Sequence, residues 1–310
     1  MSTSILLIQQ ILSMFLSLIV GYIIVKTDIL EVQDAGPIST VVLYVICPCT
    51  IINAFLVEFS PDRLRGFLLA TALATIATLL FILISYLLKK PLKLDAIEMG
   101  SISYPNAGNL ILPIVTSVLG PEFVIYACPY VMVQTFFMWT HLNSMIKGET
   151  HLNLKKILTN INVLALFFGL FLFVTRLKLP AVLTSFISSM GGCIGPLSML
   201  IIGMAIGKAD LKTIFLRPRN YLICSLRLLL MPLLFILFIK ITGIAYLFPE
   251  AYQICMIVLF AAGSSAASTV SQMATAYGKD AFEASMINVM SVLLLIVTLP
   301  LMIMIYHAVI

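Results

Sequence analysis

The stretch that decides the fold is Ser103–Gly120, SYPNAGNLILPIVTSVLG. It lies within a run of about twenty mostly apolar residues, which is long enough to cross a bilayer. The stretch nevertheless contains Pro105, Pro113, Asn106 and Asn109. Each proline removes a backbone donor and turns the preceding residue away from helical angles, so the pattern predicts a helix broken across Pro105 and Pro113. Backbone that leaves a helix at membrane depth is tolerated only inside protein or beside a water-filled cavity, so the break predicts a binding site.

The composition is that of a membrane protein. Hydrophobic residues make up 61% of the chain and charged residues only 10%, with a mean hydropathy of +1.13. A soluble domain has roughly 25% charged residues. The net charge of +5 gives no reason to expect nucleic-acid binding, because the basic residues lie in short loops between apolar runs. We therefore predict an all-α integral membrane protein.

Apolar runs of about 17–25 residues predict ten membrane spans. They cover roughly residues 5–25, 36–57, 66–88, 97–118, 123–146, 157–175, 183–207, 219–241, 251–276 and 281–306. Of the 18 Lys and Arg residues, the loops on one side hold twelve and the loops on the other side five. Because the side richer in Lys and Arg is cytoplasmic, we predict that both termini lie outside a plasma or inner membrane.

Landmarks recur in the same order in the two halves of the chain. Pro48 in the second span matches Pro196 in the seventh, and the break in the fourth span matches the small-residue run 263–269, GSSAAST, in the ninth. Since five spans per half is an odd number, the second half enters the membrane from the opposite side. Residues 1–150 and 151–310 are thus predicted to form a 5+5 inverted repeat, with the broken helices 4 and 9 crossing at mid-membrane.

Four segments carry a family resemblance that extends over the whole chain. PNAGNLILPIVTSVLG (105–120) resembles the fourth-span motif of the auxin efflux carrier family, and VLYVICPCTIINAF (42–55) resembles its second span. GPLSMLIIGMAIG (195–207) resembles the seventh span. AAGSSAASTVSQMATAYGKDAFEASMINVMSVLLLIVTLPL (261–301) resembles the ninth and tenth spans, although Ser265 stands about where many members have a proline.

The resemblance implies a microbial organic-anion carrier similar in fold to the sodium-coupled bile-acid symporters. It implies a scaffold of helices 1, 2, 6 and 7 and a mobile transport unit of helices 3–5 and 8–10. It also implies that the chain forms a homodimer through the scaffold and carries malate-like or auxin-like carboxylates. Membrane lipids surround such a protein, and no nucleic acid is expected as a partner.

A site for a carboxylate can be built here without a basic side chain. Each helix N-terminus leaves about four N–H groups unpaired and carries roughly half a positive charge, so two half-helices can aim their positive ends at one anion. The amides of Asn106 and Asn109 would add donors, or they would only cap the broken ends. The predicted site residues of the two breaks are Pro105, Asn106, Asn109, Pro113, Ser264, Ser265, Ser268 and Gln272.

Three residues outside the breaks are further candidates. By the resemblance, Asn53 lines the site from the scaffold, although an interhelical hydrogen bond would explain it as well. Arg227 lies well inside a span, which marks a gating or anion-path residue, or one that snorkels to the surface or pairs with Glu98. His141 is a candidate proton relay or an ordinary packing residue.

These observations leave three classes of function. The leading one is a secondary transporter of small organic anions that works by alternating access in an elevator-like motion. A sodium-coupled symporter of the bile-acid type is an alternative, because unwound backbone carbonyls can hold Na⁺. An anion channel is a weaker one, since no selectivity loop or charged ring is evident. The scattered histidines show neither catalytic nor metal-ligand spacing, so we expect no enzyme, metal or cofactor.

Overall fold

The computed structural model describes residues 16–148, 158–207 and 211–310. It is all-helical, with 85% of residues in helices and no strand within the described ranges. By length and composition, six of the helices within these ranges can cross a membrane, and three shorter helices there are also apolar. The chain is therefore a multi-pass membrane protein. The predicted first and sixth spans both begin at residues outside the described ranges.

The helices are numbered here in chain order. They are α1 Leu16–Lys26, α2 Val32–Phe55, α3 Pro61–Leu92, α4 Ala96–Ser103, α5 Ala107–Ile111 continued by Leu112–Val118, α6 Pro121–Lys147, α7 Ile161–Thr175, α8 Ala181–Gly207, α9 Leu211–Leu216, α10 Pro218–Thr242, α11 Ala251–Ala262, α12 Ser268–Ala276 and α13 Ala281–Val309.

The described residues pack as two compact units. The first is drawn from Met1–Phe67, Asn109–Cys128 and Leu158–Ala209. The second is drawn from Leu68–Gly108, Pro129–Ile157 and Asp210–Ile310. The second unit contains α4, α9, α10, α11, α12 and α13, most of α3, the C-terminal part of α6 and the first two residues of α5.

Several prolines that look like helix breakers are absorbed by π-helical turns. The π-helical segments Val42–Ile46, Ala107–Ile111 and Leu226–Leu230 are each followed at once by an α-helix with proline as its second residue. A π-turn spaces its hydrogen bonds one residue further apart, which accommodates a residue without an N–H. The helix therefore passes through Pro113, and the prediction that the break extends to this proline is wrong.

Glycines let α1 and α8 approach closely in the first unit. A Cβ built on Gly203 would lie 1.9 Å from the Leu18 carbonyl oxygen, and one built on Gly21 would lie 2.1 Å from the Leu200 carbonyl oxygen. A Cβ built on Gly207 would lie 2.7 Å from the Val25 side chain. Small residues at the contact let helix backbones come together in a membrane, where van der Waals packing is the main attraction.

This contact predicts a specific loss of stability. Replacing Gly203 with alanine would force the two backbones apart, and overpacking of this kind costs about 1–3 kcal/mol. We expect a fall in the Tm of purified protein of about 5 °C. Gly192 is the matched control, because it lies in the same helix α8 and a Cβ there meets no atom within 4 Å. Gly192→Ala should leave the Tm unchanged or raise it; equal losses in both variants would contradict the close contact.

The core of the second unit joins four helices. Tyr104 at the end of α4, Leu142 on α6, Val270 on α12 and Ala284 on α13 are all buried in one cluster. A Cβ on Gly100 of α4 would come within 2.7 Å of the Leu142 side chain, so α4 and α6 are closely packed. The end of α4 and the start of α12 are thereby fixed in the same core.

Candidate functional site

The two interrupted helices of the second unit are joined at their breaks. Residues 104–106 separate α4 from α5, and residues 263–267 separate α11 from α12; we call these segments the paired breaks. Pro105 and Ala266 form an isolated antiparallel bridge. The Asn106 N–H donates to the Ser265 carbonyl at 2.8 Å, and the Ala267 N–H donates to the Tyr104 carbonyl at 3.0 Å. The helix resumes two residues after each bridge residue, so the arrangement has a local two-fold character.

Proline explains the first break. Tyr104 has extended backbone angles (φ −109°, ψ 115°), as expected for a residue that precedes a proline. In a continuous helix the Asn106 N–H would bond to the Ile102 carbonyl four residues earlier. Here that N–H is directed to Ser265 instead, and the Ile102 carbonyl accepts from Arg227 at 3.0 Å.

The second break is complete although it contains no proline. A continuous helix would pair the Ala266 N–H with the Ala262 carbonyl. Both groups have other partners: the Ala266 N–H donates to the Ser291 hydroxyl at 3.0 Å, and the Ala262 carbonyl accepts from Arg227. The Ser264 hydroxyl donates back to the Ala261 carbonyl, a local bond that competes with helix formation. Side chains of α10 and α13 thus replace the proline.

Two amides that the sequence analysis missed hold the bridge residues from outside. Gln134 on α6 donates to the Pro105 carbonyl, and Asn288 on α13 donates to the Ala266 carbonyl. Each bridge carbonyl therefore receives an amide N–H from another helix. The sequence signal was present, because a polar amide inside an apolar span is costly unless it is paired.

Arg227 is completely buried in the second unit. Its guanidinium donates to the carbonyls of Ile102 and Ser264 at 3.0 Å each, and also to that of Ala262. Its guanidinium carbon lies 5.4 Å from the centre of the Phe81 ring. Snorkelling and a pair with Glu98 were both wrong predictions for Arg227. The guanidinium instead turns inward to carbonyls that the breaks leave open.

Glu98 pairs with a different arginine. Its carboxylate accepts from Nε and Nη2 of Arg219, the latter at 2.7 Å, and from the Asp95 N–H at 3.1 Å. The Asp95 side chain in turn accepts from the Glu98 N–H, so α4 begins with a reciprocal capping box. The pair fixes the start of α4 to the start of α10.

The structure brings several predicted site residues together at the paired breaks. Asn106 is buried, and Ser265 is fully buried. Among the described residues, the Ser265 hydroxyl has no hydrogen-bond partner. Ser264 is buried with its hydroxyl bonded within its own turn, whereas Ser268 is half-buried and Gln272 is exposed.

Other predicted residues lie in the first unit. Asn53 is half-buried near the C-terminal end of α2, and Pro113 is buried in α5. The backbone of Asn109 lies in the π-helical part of α5, while its side chain is outside the described part of the structure.

His141 links the first break to the edge of the second unit. Its Nδ1 is hydrogen-bonded to the Tyr104 hydroxyl at 2.8 Å, and its Nε2 to the Tyr86 hydroxyl at 3.2 Å. Tyr104 is fully buried and Tyr86 is 46% exposed. A role of His141 as a proton relay stays a prediction.

Four helix ends meet at the paired breaks. The C-termini of α4 and α11 carry partial negative charge, and Arg227 donates to carbonyls of both. The N-termini of α5 and α12, at Ala107 and Ser268, carry partial positive charge. An anion is therefore favoured on the side of the paired breaks where these two N-termini lie. Within the described residues, no group of three or more His, Cys, Asp or Glu side chains could hold a metal ion.

Comparison with protein families agrees with this architecture. Helices long and apolar enough to span a membrane define a polytopic membrane protein, and interrupted helices joined at their breaks are a feature that secondary transporters share. A family model described as "Membrane transport protein" matches residues 6–155 and again residues 149–303. The chain belongs to this family, the auxin efflux carrier family of membrane transporters. A search of curated proteins finds no match.

Proposed function

We propose that this transporter carries a small organic anion by alternating access, with a carboxylate bound at the paired breaks. In this proposal α4 with α5 and α11 with α12 are the broken fourth and ninth helices of a ten-span 5+5 inverted repeat. They cross at mid-membrane within a transport unit, and this unit moves against a scaffold made of the first, second, sixth and seventh predicted spans. Malate-like dicarboxylates or auxin-like monocarboxylates are the substrate classes that we propose.

The observation that carries the proposal is the antiparallel bridge between Pro105 and Ala266. It brings the N-terminal ends of α5 and α12 to one place, and their positive partial charges would act on the same ligand. The buried Ser265 hydroxyl, which lacks a partner among the described residues, would donate to that ligand. Buried polar groups are usually paired, so an open hydroxyl at this position favours a ligand contact.

The membrane potential can drive such a carrier. Moving one negative charge outward across an inside-negative membrane is favoured by about 2.3 kcal/mol per 100 mV. At that potential, export of a singly charged anion needs no further energy source until its opposing concentration gradient reaches the same free energy. We propose a plasma or inner membrane location with both termini outside and a homodimeric assembly, as the loop charges and the family resemblance suggest.

Ser265→Ala tests the site because it should separate binding from stability. Removing an unpaired buried hydroxyl should leave the Tm unchanged or slightly higher, since that group contributes no hydrogen bond to folding. A hydrogen bond to a charged ligand is worth about 1.5–3 kcal/mol, so the affinity for the carboxylate should fall about tenfold or more. Thermal shifts of purified protein with malate and with indole-3-acetate, each titrated separately, measure both quantities.

Ser101→Ala is the matched control. Its hydroxyl, on α4, is also buried and also lacks a partner among the described residues, but it lies outside the paired breaks. We expect its affinity to match that of the wild type. If neither carboxylate stabilises the wild type, or if Ser265→Ala binds as tightly as Ser101→Ala, the proposed site is wrong.

A further inference from the structure

We propose that the Arg227 guanidinium serves as a built-in counter-cation for the two broken helices, in the position that a coupling Na⁺ would take, so that the carrier binds its anion without sodium. The inference rests on the proposed function and decides between the sodium-coupled and sodium-independent forms of it.

The three carbonyls bonded by Arg227 are among those that the breaks leave open. In continuous helices, the carbonyls of Ile102, Ala262 and Ser264 would accept from the N–H groups of Asn106, Ala266 and Ser268, respectively. The first two of those N–H groups donate elsewhere, to Ser265 and Ser291. Arg227 therefore takes up carbonyls at the C-terminal ends of both α4 and α11.

The charge at this point matches one monovalent cation. Each helix C-terminus carries about −0.5 of an elementary charge, so the two ends together present about −1. Among the described residues, no carboxylate forms an ion pair with Arg227, although its side chain is completely buried. The two helix ends are thus the counter-charge that makes a buried guanidinium tolerable.

A guanidinium and a sodium ion would compete for the same ligands. Transporters with interrupted helices hold Na⁺ through unwound backbone carbonyls and half-helix C-termini. Here such carbonyls already accept hydrogen bonds from the guanidinium of Arg227, whose N–H groups have a fixed geometry. The positive charge of the guanidinium also repels a second cation. Because Arg227 stays with the second unit, a loaded carrier would move the anion without an accompanying ion.

Variants of Arg227 test this directly. Arg227→Ala opens a space lined by the three carbonyls, and we expect it to lower the Tm by about 10 °C and to lose malate binding. Guanidinium chloride at low millimolar concentration should raise the Tm of this variant by about 5 °C, and sodium chloride should raise it more than N-methylglucamine chloride does. Neither cation should stabilise the wild type at the same concentrations.

Arg227→Met is the matched control because its side chain fills the space and accepts no cation. It should be as unstable as the alanine variant and show no stabilisation by guanidinium. Arg227→Lys keeps a positive charge at this position, so its Tm should be the same in sodium chloride and in N-methylglucamine chloride. This variant remains informative if the alanine variant does not fold. The proposal would be overturned if guanidinium raised the Tm of the alanine and methionine variants equally, or if the lysine variant were stable only in sodium.

The wild-type protein supplies a separate test. Malate binding should have the same Kd in sodium chloride and in N-methylglucamine chloride, and a Kd at least about tenfold lower in sodium would overturn the proposal. The guanidinium response of Arg227→Ala needs no substrate. If the wild type binds neither malate nor indole-3-acetate, the proposed substrate site fails while the role of Arg227 is still decided.

Discussion

Replacing Gln134 and Asn288 together with leucine is expected to abolish anion uptake and to destabilise the second unit. Each change leaves a buried bridge carbonyl, that of Pro105 or that of Ala266, without its amide donor. An unsatisfied buried group costs about 1–3 kcal/mol, so the Tm of the double variant should fall by about 5–15 °C. Uptake into proteoliposomes, normalised to folded protein, measures the functional loss.

Asn220→Leu separates a general loss of stability from damage to the paired breaks. Asn220 is also a buried amide of the second unit, but it donates to the Ile214 carbonyl at 3.0 Å, away from the paired breaks in the chain. We expect this variant to lose stability while its folded fraction keeps its uptake. The account would be contradicted if the double variant transported normally, or if Asn220→Leu lost as much uptake per folded molecule.

Removing the Arg219 side chain is expected to have the second large effect. The Glu98 carboxylate, whose side chain is only 4% exposed, would keep the Asp95 N–H as a donor but lose the arginine. Breaking a buried pair from one side costs about 3–5 kcal/mol. Because 37% of the Arg219 side chain is exposed, we reduce this figure to about 2–3 kcal/mol. Thermal unfolding of Arg219→Ala should show a Tm lower by about 5–10 °C.

A second substitution should reverse most of that loss. Glu98→Gln in the Arg219→Ala background removes the unpaired charge and keeps an oxygen that can accept from the Asp95 N–H. Arg65→Ala is the surface control, since Arg65 and Asp62 form a pair whose side chains are 73% and 72% exposed, and such pairs contribute little. If the surface variant lost as much stability as Arg219→Ala, burial of Glu98 would not be the cause.

Proline made the first break predictable from sequence. The extended angles of Tyr104 follow from its place before Pro105, a purely local effect. Pro113 misled the same reasoning, because a π-helical turn ahead of it absorbs the missing donor. Whether a π-turn forms depends on how the neighbouring helices pack, which a single sequence does not show. The extent of the first break could therefore be found only from the structure.

Tertiary contacts decided the rest of the site. The small residues at 263–267 marked the second break, but what keeps it open are Arg227 and Ser291, which lie 35 and 25 residues from their partners Ala262 and Ala266. Arg227 sat about eight residues from a helix end, a distance at which snorkelling and inward burial are both possible. The carbonyl partners of Arg227 come from two interrupted helices elsewhere in the chain. The sequence therefore could not decide between snorkelling and inward burial.

The measurement that tests the central claim most directly is equilibrium binding of radiolabelled malate and of radiolabelled indole-3-acetate to purified wild type and Asn106→Asp. The substitution is nearly isosteric and places a negative charge in the paired breaks, where like charges repel strongly in a poorly solvated environment. The account predicts saturable binding of at least one of the two anions to the wild type and a loss of at least about a hundredfold in Asn106→Asp. An unchanged Kd in Asn106→Asp, with the variant folded, would contradict it.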